Sequence, residues 1–173
     1  MKKLILLLIL FTASLSTVEA QTIDKGFFIE GNIAYGSSRY KNYAIITPVA
    51  GYQFNSKWQA GMKVGFETGN LSYTIYTPFV RYNFVHINKL NLFTEAQFSY
   101  MSRDVDGGQS SYSEAGLSFG LNYPISRHLK LVGHYLFVGY SGENGKEGAS
   151  LGGGDFILDA NSRRLQLGVQ FLF

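Results

Sequence analysis

The last ten residues constrain this chain most. Leu165, Leu167, Val169, Phe171 and Phe173 share one parity, and Arg164, Gln166, Gly168 and Gln170 share the other. Successive side chains of a β-strand point to opposite faces, so the segment predicts a strand with one apolar and one polar wall. A sheet needs that division when its two faces meet different media.

The same period of two recurs between turn signals. It predicts eight strands at approximately 26–36, 43–54, 57–68, 72–85, 90–102, 111–123, 129–140 and 162–173. Strands of about 9–11 residues suffice to cross a bilayer, and an even number closes an antiparallel barrel with both termini on one side. The connections at Asn55-Ser56, His86 to Lys89 and Pro124 to His128 are short. Those around 37–42, 103–110 and 141–161 are longer, and Gly69-Asn70-Leu71 is a short one on the long-loop side. Short turns on one rim and long loops on the other fit the periplasmic and extracellular ends of such a barrel. Thr47-Pro48-Val49-Ala50-Gly51-Tyr52-Gln53-Phe54 is echoed thirty residues later by Thr77-Pro78-Phe79-Val80-Arg81-Tyr82-Asn83-Phe84. This period suits one hairpin unit repeated around a barrel. Proline cannot donate to a ladder, so Pro48 and Pro78 are expected at bulged or unpaired positions.

The amino terminus reads as a secretory leader. Met1-Lys2-Lys3 precedes an apolar run from Leu4 to Phe11, and Val18-Glu19-Ala20 forms an A-x-A-like cleavage site before Gln21. The apolar run falls short of the roughly 20 residues of a spanning helix. Cleavage leaves one domain, 21–173, with 13 basic and 11 acidic residues, a net charge of +2. That small excess gives no reason to invoke nucleic acid, whose binding proteins gather Lys and Arg on one face. Without cysteine, neither disulfides nor thiolate chemistry contribute.

Alternation alone fits a soluble lipocalin-like barrel as well as a membrane barrel; the two differ in which face points inward. In the third strand Gln59, Gly61, Lys63, Gly65 and Glu67 share the polar parity, and glycine recurs there at Gly116, Gly120 and Gly168. Inside a narrow barrel, glycine makes room for long charged neighbours, so the polar face is assigned to the lumen. Tyr52, Phe54, Trp58, Tyr82, Phe84, Tyr123 and Phe171 fall beside the short-turn rim. Tyr35, Phe66, Tyr73, Tyr100, Tyr112 and Tyr140 fall near the other. Two such bands are the aromatic girdles expected at bilayer interfaces.

With these features the mature chain resembles the small outer-membrane β-barrels of the OmpX and OmpA-transmembrane-domain type, in the porin-like version common in Bacteroidota. The leader, the Thr-Pro…Gly-Tyr-Gln-Phe segment, Glu-Ala-Gly-Leu-Ser-Phe-Gly-Leu at 114–121 and the terminal Phe173 carry the resemblance. It implies an outer-membrane location with periplasmic termini, contact with outer-membrane lipids and lipopolysaccharide, and a monomer. It also implies that the barrel-assembly machinery reads Phe173 together with Phe171. The modest first three loops beside a long fourth depart from the OmpX pattern.

The polar face carries Glu30, Lys63, Glu67, Arg81, Glu95, Glu114, Lys130, His134 and Arg164. Mixed signs predict ion pairs across the lumen, because an unpaired buried charge is costly. An eight-stranded interior is about filled by its own side chains. The expected role is therefore structural or surface-interacting, with a narrow channel for ions or small solutes as the alternative and a proton-sensitive gate at His134 as one version of it. A lipid A-modifying enzyme fits less well. His86 and His128 fall at the short-turn rim and His134 inside the wall, away from the long-loop side where such a triad would sit. No histidine–carboxylate spacing suggests zinc, so no cofactor or metal is expected. Gly142 to Asn161 scatters Glu143, Lys146, Glu147, Asp155 and Asp159 among glycines without the order of a calcium loop. This loop is the place for an extracellular partner, and its Phe156-Ile157-Leu158 would touch a partner, lipopolysaccharide or the barrel lip.

Overall fold

Period-two patterning yields antiparallel strands throughout the computed structural model, which describes residues 25–38, 41–68, 73–105, 108–142, 156–160 and 164–173. In chain order they are β1 (Gly26–Ser38), β2 (Lys41–Gln53), β3 (Trp58–Thr68), β4 (Tyr73–Ile87), β5 (Leu90–Val105), β6 (Gly108–Pro124), β7 (Leu129–Ser141), β8 (Phe156–Asp159) and β9 (Gln166–Leu172). Each strand pairs with its chain neighbour from β1 to β7. β9 then pairs with both β7 and β1, closing an up-and-down barrel of eight staves. Closure leaves no continuous sheet edge to solvent or lipid. The proposed leader, residues 1–20, lies outside the described residues.

The eighth stave differs from the single strand expected at 162–173. β9 covers β7 from Leu129 to His134, and β8 covers it from Phe137 to Tyr140. Phe156-Ile157-Leu158, read from sequence as part of a long loop, is therefore wall: Val138 faces Leu158 and Tyr140 faces Phe156, whose rings meet edge-on at 5.5 Å. The loops expected around 37–42 and 103–110 also shrink. Ladders continue to Ser38↔Lys41 and Val105↔Gly108, so only two residues separate the strand ends in each case. At 16 and 17 residues, β5 and β6 exceed the span a bilayer requires.

Two bulges adjust the inward set. The β4–β5 register shifts between Asn83 and Val85, leaving Phe84 as the extra residue, and the β6–β7 register shifts so that Tyr135 is extra. An extra residue inverts the parity beyond it. β7 accordingly turns Lys130, Val132 and His134 inward below the bulge, and Phe137, Gly139 and Ser141 inward above it. The prolines keep register. β2–β3 pairing omits Thr47 and Pro48 between Ile46↔Phe66 and Val49↔Lys63, and β4–β5 pairing omits Thr77 and Pro78 between Tyr76↔Tyr100 and Phe79↔Gln97. Each proline is thus left out of one ladder without a bulge while pairing on its other side, Pro48 with Gly31 and Pro78 with Met62, and Thr77 Oγ1 donates across one gap to Ser99 Oγ at 2.9 Å.

Burial is inverted relative to a soluble barrel. Ile29, Ile33, Val80, Phe98, Leu117 and Leu167 are exposed on the outer wall, whereas Glu30, Arg81 and Glu95 are buried within. Phe54, Trp58, Phe84 and Phe171 stand exposed by the short-turn rim, and Tyr35, Phe66, Tyr100 and Tyr140 by the opposite one, so both girdles form. Trp58 packs on Tyr82, Tyr52 on Phe27 and Phe54, and Phe171 on Phe173. The short turns are stitched locally. Asn55 Oδ1 accepts from Lys57 N and Trp58 N at 2.9 Å, and Asn88 takes a positive φ of 54° in the β4–β5 turn.

Gly51, Gly116, Gly120 and Gly139 seat aromatic rings rather than the long charged chains expected from sequence, while Gly168 lies against Asn32 and Gly65 against Ile75. A Cβ on Gly51 would lie 2.6 Å from the Phe28 ring, one on Gly120 2.3 Å from that of Phe93, and ones on Gly116 and Gly139 2.9 Å from that of Phe137. The Gly120 position is also 2.4 Å from the Gly133 carbonyl, which cannot swing aside. Gly120→Ala should destabilise the folded barrel by about 1–3 kcal/mol, the usual range for overpacking. Gly31→Ala, with nothing within 4 Å of the new Cβ, should be neutral or slightly stabilising. Urea unfolding in lipid vesicles, followed through Trp58 fluorescence, checks both.

Candidate functional site

Four strands bring the central lumenal charges together because Glu30 (β1), Lys63 (β3), Arg81 (β4) and Glu95 (β5) all take the inward parity. Arg81 is the hub. Its Nη1 and Nη2 donate to the two Glu30 oxygens at 2.9 and 3.2 Å, its Nε to Glu95 Oε2 at 3.0 Å, and Nη1 also to Gln59 Oε1 at 3.3 Å. Four of the five guanidinium N–H groups are thereby used, a fit a lysine lacks. Lys63 Nζ pairs with the other Glu95 oxygen and reaches Gln97 Oε1 at 3.4 Å. Arg81 is 1% exposed and Glu95 0%. Two cations and two anions balance, so the pairs meet the condition under which buried charge is tolerated.

Amides extend the cluster, Asn32 toward the long-loop end and the others toward the short-turn end. Asn32 and Gln170 donate to Glu30 at 2.8 and 3.0 Å, Gln59 donates to Gln53 at 2.7 Å, and Lys130 donates to Gln53 at 2.9 Å. Below them, Asn91 donates to Asn122 at 2.9 Å and Asn122 to Asn83 at 3.0 Å, tying β4, β5 and β6. Apolar side chains fill the spaces between. Phe28, Val49, Phe79 and Leu172 form a buried cluster, and the Arg81 guanidinium lies 4.4 Å from the Phe93 ring centroid.

A second ion group lies toward the opposite rim. Arg164, in the turn before β9, donates through Nη2 to both Glu114 oxygens at 3.0 Å and through Nε to Asp159 Oδ2 at 2.8 Å. Ser141 Oγ donates to Glu114 at 2.9 Å, and the Arg164 guanidinium sits 4.5 Å from the Phe137 ring centroid. The two groups repeat one motif: a ring seated on glycine offers its other face to an arginine that two carboxylates hold. A cation over a ring gains most where water is excluded.

His134 is buried with its ring edge-on to Phe93 at 5.2 Å and its Nε2 3.6 Å from Glu30 Oε1, beyond hydrogen-bond distance. His128 Nδ1 contacts the Leu172 carbonyl at 2.7 Å, and His86 contacts Asn91. Neither set of contacts builds a serine–histidine–acid relay. No group of three His, Asp or Glu side chains is placed to hold a metal among the described residues.

Of the nine lumenal residues expected from sequence, Glu30, Lys63, Arg81 and Glu95 form the centre, with His134 against Glu30. Lys130 joins through Gln53, and Glu114 with Arg164 forms the outer group. Glu67 keeps its backbone place opposite Ile45, while its side chain lies outside the described residues. Phe171 and Phe173 meet edge-on at the short-turn rim. Sequence reasoning missed Phe28, Phe79, Phe93 and Phe137. The first three share parity with Glu30, Arg81 and Glu95, which was the available signal.

No protein-family model matches the chain, and no curated protein matches it. Among solved structures it is similar to the N-terminal β-barrel domain of Pseudomonas aeruginosa OprF, with a TM-score of 0.60, 16% identity, and coverage of 88% of this chain and 100% of that one. It is likewise similar to Neisserial surface protein A (NspA), with a TM-score of 0.56, 18% identity, and coverage of 86% and 97%. The fold is that of the small outer-membrane β-barrels.

The two ion groups differ in burial, since the Arg164 side chain is 20% exposed against 1% for Arg81. Arg81→Met strands Glu30 in the interior, leaves Glu95 to Lys63 alone and should cost about 3–5 kcal/mol. Arg164→Met should cost less, because the Arg164 guanidinium and Asp159 are partly open to water and only Glu114 is buried. The same vesicle-based unfolding assay ranks the two.

Proposed function

We propose that this chain is an integral outer-membrane barrel whose lumen is plugged, serving a structural or surface-interaction role rather than steady conduction. The supporting observation is the Arg81 hub. It ties β1, β3, β4 and β5 across the interior, with Phe79 and Phe93 packed against the guanidinium. An ion crossing here would have to displace a guanidinium held by four hydrogen bonds in surroundings where the exposed carboxylates would be left unpaired.

In this reading both termini and the short turns face the periplasm, and the exposed apolar wall contacts lipid and, on the outer side, lipopolysaccharide. Phe171 and Phe173 present the aromatic end that the assembly machinery reads. Contact with an extracellular partner falls to the connection between β7 and β8, where the length of chain between strands is greatest. The chain acts as a monomer, without catalysis. A narrow channel is the competing reading.

Single-channel recording in planar bilayers separates the two. The native refolded barrel should be silent for most of the record, and the Arg81→Ala/Glu95→Ala variant, if it retains the folded gel mobility, should show frequent openings. Steady native conductance altered by the double substitution would place the function in the lumen and overturn the plugged reading.

A further inference from the structure

Charge is distributed unequally between the two rims. On the short-turn rim Lys25 stands at the entry to β1, Lys57 in the β2–β3 turn, Lys89 in the β4–β5 turn and Arg127 in the β6–β7 turn. The staves follow chain order around the barrel, so these positions recur at every second stave and encircle the end. Among the described residues no Asp or Glu side chain falls on this rim. Glu30 and Glu95, the acids nearest in the lumen, are buried against Arg81 and Lys63. Toward the opposite end the described residues include both signs, with Glu114 and Asp159 paired to Arg164.

The height of these cations is fixed by their neighbours. Lys57 lies in a turn whose amides are held by Asn55 and whose carbonyl accepts from Asn83 N at 2.8 Å; Trp58, packed on Tyr82, follows it directly. Lys25 precedes Phe27, which packs on Tyr52. Arg127 precedes His128, which stacks on Phe171 at 5.7 Å. Aromatic belts settle at the headgroup level of a bilayer. Cations one or two residues beyond such a belt project into the phosphate plane, and Lys25, Lys57 and Arg127 are all exposed.

We propose that the short-turn rim is a collar that binds anionic phospholipid headgroups in the leaflet it faces. The inference rests on the reading of the chain as a membrane barrel. Phospholipid fits better than a soluble polyanion or a protein, because the cations are spread around the whole circumference and joined to the belt instead of being gathered in one patch. One cation near a charged surface changes lipid partition by about fivefold, and the effect weakens as salt shortens the Debye length.

Trp58 is the single tryptophan and adjoins Lys57, so it reports lipid contact at the collar. The full-length barrel would be folded into phosphatidylcholine vesicles containing brominated phosphatidylglycerol or, separately, brominated phosphatidylcholine, and Trp58 quenching compared. The collar predicts about fivefold stronger association of the phosphatidylglycerol, reduced by added salt and lost in Lys25→Gln/Lys57→Gln/Arg127→Gln. Equal quenching by the two lipids in the native protein overturns the proposal, as does a preference that survives in the triple variant. Folded gel mobility in both vesicles keeps the barrel reading intact in either case. Failure to enter vesicles of either composition would instead overturn the barrel reading itself.

Discussion

Arg81 is the residue on which the interior depends. A barrel that turns its apolar side chains toward lipid must fill its lumen with polar groups, and those groups lose bulk water when the staves close. A guanidinium solves this locally because its planar fork serves two carboxylates and an amide at once. Glu30, Glu95 and Gln59 come from three different strands, so the same bonds that neutralise charge also hold β1, β3, β4 and β5 at one spacing. Around this hub the remaining lumenal amides need only reach one another.

Packing and electrostatics reinforce each other through the glycines. Phe93 stands directly opposite Gly120 in the β5–β6 ladder, and Phe28 opposite Gly51 in β1–β2. Removing a side chain from one strand lets a ring from the next lie flat against backbone, which fills volume that a charged chain would leave uneven. The exposed ring face then receives Arg81. Phe137 on Gly116 and Gly139, with Arg164 above it, repeats the arrangement nearer the opposite rim. Two layers built the same way explain why a lumen rich in charged side chains still packs closely.

Much of this was legible in the sequence because a strand's period is two whatever its surroundings. Parity alone located seven staves to within a few residues and placed Glu30, Lys63, Arg81, Glu95 and Glu114 on one inner face. What parity does not encode is the extra residue of a bulge. Tyr135 inverts β7, so Phe137 and Ser141 turn inward although they lie out of phase with Lys130 and His134. Nor does it reveal that Phe156–Asp159 joins the wall, since four residues among glycines carry too short a pattern to read as a strand. Phe28, Phe79 and Phe93 were in phase with the charges, yet hydrophobic residues are ordinarily assigned to the lipid face. Recognising them required noticing the glycine opposite each one.

The central claim is that Arg81 and Glu30 stabilise the closed barrel through each other, and a double-mutant cycle of vesicle unfolding free energies with Arg81→Gln and Glu30→Gln tests it most directly. Mutual dependence predicts that the two losses fail to add, with a coupling energy of about 1–3 kcal/mol for residues in one network. Losses that add to within about 0.5 kcal/mol would show that the two side chains act independently and would contradict the account.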